Sequence, residues 1–460
     1  MAWRWSEAKT SGRVPEPRAG VASSVQDGSL VLLGGWDGKT AFNDAYTVGL
    51  SDFRWRMLKL RGDGTMADRI MFGTAADEDG VIYVHGGCRP DNLNDMYHDV
   101  MAFDARTSKL RTIKTVGDWT GDGPGYIIRQ SVAVVGGYLY VFGGWDNKKW
   151  LDATFRLDLD AENKGGAKGS GAARWERLAT RGFIPYGRTH ACLVPWPLPT
   201  PRLLLYGGGD VDTDFSATYS LDARSWYWER LYNVSNATVA LSQMACGVLP
   251  MAGSDELALA VHGGFGGVPE GQGERGDRQS ALRLLRFGRT EWRWTVPQAV
   301  HGSSQGRLGH VMQVVNASCL VVWGGSIGLG GKHRNDLLVA VPNRLAASQD
   351  GEDDGKGDDG DGDDGEAEED GEAEKGAEGA GGKEEEDEWY EEDERATPPP
   401  PAPRSGQARA QGDHEGLNGA SETPIENWEV IRTVRTADKK EKKRTKAKKR
   451  RPARSAKDEL

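Results

Sequence analysis

Residues 320–325 read Leu-Val-Val-Trp-Gly-Gly, a short apolar run that ends in two glycines. The same kind of run occurs six times along the chain. The first glycines of the six pairs are Gly34, Gly86, Gly143, Gly207, Gly263 and Gly324. Successive pairs are separated by 52 to 64 residues, which is long enough for four short strands with their loops. The sequence therefore predicts a repeat protein built from six similar β-rich units.

Each unit surrounds its Gly-Gly run with the same elements. In five units an arginine followed by small or apolar residues opens the unit and indicates a first strand: Arg18, Arg69, Arg129, Arg188 and Arg307. In four units an aromatic residue follows the first glycine by 11 or 12 residues: Tyr46, Tyr97, Phe155 and Tyr219. A final strand carries Trp55, Trp175, Trp228 or the pair Trp292 and Trp294, with Leu110 in the second unit. The fifth unit departs most, because Ser242 replaces the arginine and Leu282 or Leu284 replaces the aromatic.

This pattern resembles the kelch repeat, in which each unit forms one four-stranded blade of a β-propeller. The resemblance covers residues 2–345 and implies an all-β fold, a six-bladed kelch-type β-propeller. The predicted blades lie near 18–60, 69–115, 129–180, 188–233, 242–297 and 307–341. Loop insertions at 161–173 and 265–280 make the units longer than the usual ~50 residues.

The sixth unit lacks a Trp-containing strand at its end. The sequence Trp3-Arg4-Trp5 matches Trp292-Arg293-Trp294 of the fifth unit. We therefore expect residues 2–9 to supply the outer strand of the sixth blade. Such a closure would hide a strand edge that is otherwise open to solvent.

Charge is distributed unevenly along the 460 residues. Residues 350–395 contain 25 acidic and 4 basic residues, and residues 429–460 contain 5 acidic and 14 basic residues. Although the whole chain has a net charge of −11, residues 1–349 are therefore close to neutral, at +3. Long charged and Gly-rich runs cannot bury enough apolar area to fold. We expect a disordered tail made of an acidic linker (350–395), a Pro-rich polar segment (396–438) and a basic tail (439–460).

The basic tail contains a dense cluster of cations. Its members are Lys439, Lys440, Lys442, Lys443, Arg444, Lys446, Lys448, Lys449, Arg450 and Arg451. Such a cluster is typical of a nuclear-import signal, of a contact with an anionic surface or of a solvated tail. The chain ends in Lys457-Asp-Glu-Leu460, which matches the endoplasmic-reticulum retention signal. Because residues 1–10 contain no apolar signal region, we expect that match to be fortuitous and the protein to be cytoplasmic, nuclear or both.

Several classes of protein are not supported by the sequence. No run of about 18 apolar residues predicts a membrane-spanning helix. Four widely spaced cysteines, Cys88, Cys192, Cys246 and Cys319, suggest buried thiols in a reducing compartment. The histidines are dispersed and no phosphate-binding loop or paired metal motif occurs. We therefore expect no enzyme activity, no catalytic residues, no metal, no cofactor and no small-molecule substrate. Nucleic-acid binding is expected only as non-specific contact through the basic tail.

The loops that enter the first strands and those that follow the Gly-Gly strands must share one face of a propeller. Aromatic and arginine side chains on such loops are typical of protein-binding surfaces. The candidate partner-binding residues are Arg18, Trp36, Arg69, Arg89, Arg129, Trp145, Trp150, Arg188, Phe265 and Arg307. The alternative is that the arginines are structural residues between blades and that Trp36 and Trp145 cap their own blades.

The predicted function is that of a protein–protein interaction module, with the charged tail modulating binding or localisation. Two alternatives remain, namely a substrate-recognition subunit of a ubiquitin ligase and a cytoskeleton-associated scaffold. The partners are other proteins in each case.

Overall fold

The computed structural model describes most of the predicted propeller. The described residues are 2–118, 120–160, 171–197, 200–231, 234–235, 239–266, 279–287, 291–300, 302, 304–327 and 332–343. Their regular secondary structure consists of β-strands. No helix among them is long and apolar enough to cross a membrane. The predicted acidic linker, Pro-rich segment and basic tail lie outside the described residues.

The strands form six antiparallel blades. The chain begins with β1 (Ala2–Glu7) and β2 (Ser11–Gly12). Blade 1 contains β3 (Ala22–Gln26), β4 (Ser29–Leu33), β5 (Ala45–Gly49) and β6 (Arg54–Leu58). Blade 2 contains β7 (Gly73–Ala76), β8 (Ile82–His85), β9 (Val100–Asp104) and β10 (Lys109–Ile113). Blade 3 follows β11 (Thr115–Val116) and contains β12 (Ser131–Val135), β13 (Tyr138–Phe142), β14 (Thr154–Asp158) and β15 (Ala173–Arg177).

Blades 4 to 6 repeat the arrangement. Blade 4 follows β16 (Arg181–Gly182) and contains β17 (Cys192–Trp196), β18 (Arg202–Tyr206), β19 (Thr218–Asp222) and β20 (Tyr227–Arg230). Next come β21 (Val234–Ser235) and β22 (Leu241–Ser242), then β23 (Ala245–Pro250), β24 (Leu257–His262), β25 (Phe265–Gly266), β26 (Leu282–Phe287) and β27 (Trp292–Thr295). Blade 5 is formed by β23, β24, β26 and β27, while β22 and β25 pair separately. The chain continues through β28 (Gln298–Ala299), β29 (Val311–Asn316), β30 (Cys319–Trp323) and β31 (Leu337–Pro342).

The predicted closure of the ring by the N-terminal strand is confirmed. Strand β1 pairs antiparallel with β31, from Trp3 opposite Pro342 to Glu7 opposite Leu338. The sixth blade therefore consists of β29, β30, β31 and β1. Trp3 is only 1% exposed, so the closing strand is anchored in the apolar core.

The apolar core lies between the faces of neighbouring blades. One cluster, for example, combines Leu32 and Trp55 of blade 1 with Val321 and Trp323 of blade 6. The Trp55 and Trp323 ring centroids lie 5.9 Å apart in an edge-to-face arrangement. The repeating tryptophans thus fill the space between blades, as the repeat pattern suggests.

The linker between blades makes a contact that the repeat pattern does not predict. After each outer strand, the chain runs briefly parallel to the outer strand of the next blade, as β2 does beside β6. The same contact joins β11 to β15, β16 to β20, β21 to β27 and β28 to β1. A Cβ atom at Gly12 would lie 2.4 Å from the Trp55 carbonyl oxygen, so the linker needs a glycine there. The linkers protect part of each outer edge.

The cysteine prediction is half wrong. Cys192 and Cys246 form a disulfide between the first strands of blades 4 and 5, with Cα atoms 6.1 Å apart. Only Cys88 and Cys319 are buried free thiols. Because disulfides persist mainly in oxidising compartments, the cysteines no longer support a reducing location.

Candidate functional site at the loop face

The loops that enter the first strands meet the segments that follow the Gly-Gly pairs. Backbone bridges join Ala19 to Trp36, and Ile128 to Trp145. Equivalent bridges occur at Ile70–Cys88, Thr189–Gly209 and Leu308–Ser326. We call this end of the propeller the loop face. It contains the predicted partner-binding residues, whose environments differ sharply.

Three of the repeated arginines are held in buried clips. Arg69 binds the Asp99 carboxylate with both terminal nitrogens, at 2.8 and 3.0 Å, and also donates to the Gly86 carbonyl oxygen. Arg307 binds Asp336 in the same way, at 3.0 Å for both contacts, and donates to Gly324. Arg18 repeats the arrangement with Asp44 and Gly34. These arginines are 1–2% exposed.

An aromatic ring covers the guanidinium group in three blades. The Arg18 guanidinium carbon lies 3.6 Å from the centroid of the Phe42 ring, and that of Arg69 lies 4.2 Å from the Tyr97 ring. Arg188 stacks on Phe215 at 4.1 Å and donates to the Gly207 carbonyl oxygen. The rings and the carboxylates together leave these cations no surface for a partner. Their burial favours the structural role for Arg18, Arg69, Arg188 and Arg307.

The clip also corrects the alignment of the repeats. In blade 3 the arginine position is occupied by Ile127, two residues before Arg129, and the carboxylate position by Ala153. In blade 5 the same positions hold Leu241, rather than Ser242, and Ala281. Both the arginine and the aspartate are absent from blades 3 and 5, whereas blade 4 keeps Arg188 with Ala217 at the carboxylate position.

The position of the repeated aromatic residue is also misaligned in two blades. The residue equivalent to Tyr46 in blade 2 is Met101 rather than Tyr97, because the Cys88–Met96 loop is longer than its counterpart in blade 1. In blade 5 the equivalent residue is Arg283, which lies between the predicted Leu282 and Leu284. These positions were misplaced because the loops vary in length while the strands do not.

A ring of left-handed residues surrounds the propeller axis two positions after each clip position. Its members are Gly20, Met71, Arg129, His190, Gln243 and Gly309, with φ between 55° and 63°. Backbone hydrogen bonds connect neighbours around the axis: Arg129 to Met71, His190 to Arg129, Gln243 to His190, Gly309 to Gln243 and Gly20 to Gly309. Such φ values are uncommon for residues other than glycine. The strain is distributed over a repeated hydrogen-bonded ring, which we call the axial ring.

Arg129 is the cation of the axial ring and differs from the clipped arginines. It is half-buried, and its Nε lies 3.3 Å from the Met71 sulfur. Among the described residues it forms no ion pair, and burial lowers its pKa while Cys88 opposes that change. The pKa of neighbouring His190 is lowered to about 3 by burial and by the charge of Arg129. Among its six described members, the axial ring therefore contains one cationic group, Arg129, without a paired carboxylate.

The predicted loop tryptophans are half-buried rather than fully exposed. Trp36 and Trp145 are half-buried and pack against an apolar cluster that includes Ile70, Cys88 and Ile128. This packing agrees with the capping alternative for both side chains. Trp145 and Trp150 form a ring pair with centroids 4.4 Å apart. Trp36 contacts the ring of His333 at 6.2 Å.

The remaining predicted residues lie at the edge of this arrangement. Arg89 is exposed and pairs with Asp91 at 2.8 Å and with Asp95 at 3.6 Å. Phe265 is half-buried opposite Ser242 in the β22–β25 pair. The structure thus pairs Trp145 with Trp150 and joins Trp145 to Ile128, the residue before Arg129.

Two histidines form a buried network where blades 5 and 6 meet. His262 Nδ1 lies 2.8 Å from His310 Nε2, and His262 Nε2 lies 2.6 Å from the Ser304 hydroxyl. The Trp5 ring packs on His262, with centroids 5.2 Å apart. Burial lowers the pKa of His262 to about 3 and that of His310 well below its usual value. Both rings are neutral at pH 7 and contribute to the packing of the closed ring.

Metal-binding chemistry finds no support in the part of the chain that the structure describes. That part contains no group of three or more His, Cys, Asp or Glu side chains placed to hold an ion.

The six blades, the Gly-Gly strand ends and the Trp-filled interfaces define a β-propeller of the kelch class. The sequence matches the KLHDC2/KLHL20/DRC7 Kelch-repeats domain over residues 1–119 and 75–264. The chain therefore belongs to the kelch-repeat family, which confirms the resemblance drawn from the repeat. The kelch propeller is generally a fold for protein interaction.

Individual relatives are more distant. The chain is 25% identical over 356 residues to acyl-CoA-binding domain-containing protein 5 of Arabidopsis thaliana, which covers 75% of this chain and 49% of that protein. It is 23% identical over 275 residues to Kelch domain-containing protein 10 of Homo sapiens, covering 58% and 56%. A match to the dynein alpha chain of the flagellar outer arm from Chlamydomonas reinhardtii is 25% identical over 250 residues, covering 50% and 5%. The chain spans about half the length of the first curated relatives it matches.

Proposed function

We propose that the propeller binds an extended segment of a partner protein at the centre of the loop face. The observation that supports this proposal is Arg129, a half-buried cation that forms no ion pair among the described residues. Trp and Arg side chains dominate the binding energy of many protein interfaces when they are partly desolvated. The Trp145–Trp150 pair, whose Trp145 bridges to Ile128 next to Arg129, supplies the apolar contact. On this proposal the protein acts by binding and not by catalysis.

The test compares two loop-face substitutions with a matched control. Arg129→Ala and Trp150→Ala should each remove partners from proximity labelling with the full chain. Phe287→Ala is the control, because Phe287 is 52% exposed on β26 of blade 5 and belongs to neither proposed surface. Thermal unfolding of each variant checks that the propeller is intact. If both loop-face variants fold and label the same partners as the unmodified chain, the loop face is not the binding site.

We also propose that the charged tail modulates binding or localisation. The acidic linker can compete for cationic surfaces at low salt, and the cluster Lys439–Arg451 is a candidate import signal. Deleting residues 350–395 or 439–460 separately should change the salt dependence of partner binding in the first case and the nuclear fraction in the second. Unchanged binding and unchanged distribution would contradict this role.

A cytoskeleton-associated scaffold is the second candidate. The observation that favours it is the match over half of this chain to a flagellar dynein chain. Co-sedimentation of the full chain with microtubules or actin filaments tests this candidate directly. Absence from both pellets at low salt would exclude filament binding by the chain itself.

A further inference from the structure

A band of cations runs along the outer strands of blades 1 to 4. It comprises residues 54–61, 109–114, 174–181 and 224–230, which we call the outer belt. These segments contain twelve Lys or Arg residues and two Glu residues, whereas all of residues 1–349 have a net charge of only +3. The belt cations are Arg54, Arg56, Lys59, Arg61, Lys109, Arg111, Lys114, Arg174, Arg177, Arg181, Arg224 and Arg230; all are exposed except Arg111, which is half-buried. The cationic surface of the propeller is thus on its outer strands.

The few carboxylates in the belt are already engaged. Glu176 pairs with Arg156 at 2.7 Å, and Glu229 pairs with Arg202 at 3.1 Å. Neither of those arginines belongs to the belt. Within the described part of the chain, nine of the twelve belt cations form no ion pair, among them Arg61, Lys109, Arg174 and Arg181. Their charges are therefore available to an external ligand.

The linkers increase this charge density by bringing like charges together. The linker bridge places Arg61 directly beside Lys109 on the outer strand of blade 2. In blade 3 the linker residue Val116 pairs with Arg174, and the Lys114 carbonyl oxygen accepts a hydrogen bond from the Ala173 amide. Like charges on neighbouring strands destabilise a sheet. A bound polyanion would relieve that repulsion.

Blades 5 and 6 show that this arrangement is not a necessary part of the fold. Their linkers carry Val234 and Ser235, and Gln298 and Ala299, whereas the linkers beside blades 2 and 4 carry Arg61 and Arg181. In blade 5 the outer-strand Arg293 pairs with Glu291 at 2.8 Å. The outer strands of blades 5 and 6 carry one arginine each, Arg293 and Arg4, so the dense clustering of cations is a property of blades 1 to 4.

We propose that the outer belt binds an extended, acidic segment of a partner protein. Charge complementarity identifies the ligand as a polyanion, and the aromatic side chains favour protein over single-stranded nucleic acid. Single strands bind by stacking their bases on exposed aromatic rings. In the belt, Trp55 and Trp175 are 1% exposed and Trp228 is fully buried. Trp226 is half-buried with Arg156 over its ring, which leaves Tyr227 as the exposed ring. This surface is separate from the loop face, so it does not depend on the function proposed above.

The experiment measures binding of two probes to the full chain at low salt. The probes are a poly-glutamate peptide of about 20 residues and an oligo-uridylate of the same length. The belt variant combines Arg61→Gln, Lys109→Gln, Arg174→Gln and Arg181→Gln. The matched control removes four charges elsewhere, from exposed lysines of the loop tips: Lys39→Gln, Lys148→Gln, Lys149→Gln and Lys332→Gln.

The belt variant should bind poly-glutamate about ten-fold more weakly, and the loop-tip variant should stay within about two-fold of the unmodified chain. Binding should disappear near 1 M salt, where the Debye length is about 3 Å. Equal loss in both variants would show that only net charge matters and would overturn the proposal. Tighter, belt-dependent binding of the oligo-uridylate would overturn it too, because the partner would then be a nucleic acid.

Discussion

Replacing Asp336 by alanine while Arg307 stays in place should destabilise the propeller by about 3–5 kcal/mol. Arg307 is 1% exposed and Asp336 is 7% exposed, so the substitution leaves a guanidinium group buried without its carboxylate. Burial alone raises the pKa of Asp336, but hydrogen bonds and charge from Arg307 and Arg334 outweigh burial and lower it. The carboxylate is therefore fully charged at pH 7, and its loss removes a complete charge from the clip.

The double variant Arg307→Leu/Asp336→Ala should destabilise the propeller much less than Asp336→Ala alone. It copies the apolar arrangement that the chain already uses in blade 5, where Leu241 and Ala281 occupy the two positions. Buried pairs are often replaced by apolar residues at little cost, so we expect a loss of about 0–2 kcal/mol. The coupling between the two sites should then be at least about 1 kcal/mol.

Guanidinium chloride unfolding, followed by tryptophan fluorescence and circular dichroism, measures this cycle. Asp52→Ala is the matched control, because the Arg56–Asp52 pair has the same chemistry but is 50% and 45% exposed. The control should cost no more than about 1 kcal/mol. If the double variant loses as much stability as Asp336→Ala and Arg307→Leu together, the account of the clip as a paired unit is wrong.

Three further predictions concern the closing strand, the disulfide and the buried histidine pair. Trp3→Ala should cost about 3–5 kcal/mol, because it empties a buried site on the closing strand; an unchanged melting temperature would contradict that role. Cys192→Ser/Cys246→Ser should lower stability by about 4 kcal/mol under oxidising conditions, since the disulfide closes a loop with a sequence separation of 54; the difference should vanish when reductant is added to the unmodified chain. Acid should destabilise the network of His262 and His310, whose pKa values are lowered by burial. Below about pH 6.5 these histidines bind protons in the unfolded chain, while in the folded protein their rings stay neutral. Each histidine should therefore lower the free energy of unfolding by about 1.4 kcal/mol for each pH unit of acidification between pH 6 and 4. The variant His262→Gln/His310→Gln should show a shallower pH profile in urea unfolding, and an identical profile would rule out this pair as the cause.

The fold was predictable because its main determinants are local and repeated. The Gly-Gly pairs mark strand ends, and the outer-strand tryptophans mark the interfaces between blades. The closure by residues 2–9 followed from the match between Trp3-Arg4-Trp5 and the fifth unit, which the β1–β31 pairing confirms. Each of these signals repeats at nearly constant positions within a strand.

The candidate site was harder to predict because its residues meet across loops of different length. Asp44, Asp99 and Asp336 occupy equivalent positions but follow their first glycines by 10, 13 and 12 residues. The alignment of Arg129 with the clipped arginines failed because a correct alignment depends on the partner carboxylate as well as on the arginine. One missed signal was available for the disulfide: Cys192 and Cys246 are separated by nearly one repeat, which places them on adjacent first strands.

The pairing of β1 with β31 also constrains the order in which the protein can fold. Trp3 is synthesised about 340 residues before its partner Pro342. At translation rates of about 5–20 residues per second, the closing strand waits roughly 15–70 s for the rest of the sixth blade. During that time its two tryptophans are without their native partners, and the contact that completes the ring has the largest sequence separation in the fold. Folding of the last blade, and protection of the nascent chain until then, should therefore limit the yield of the native propeller.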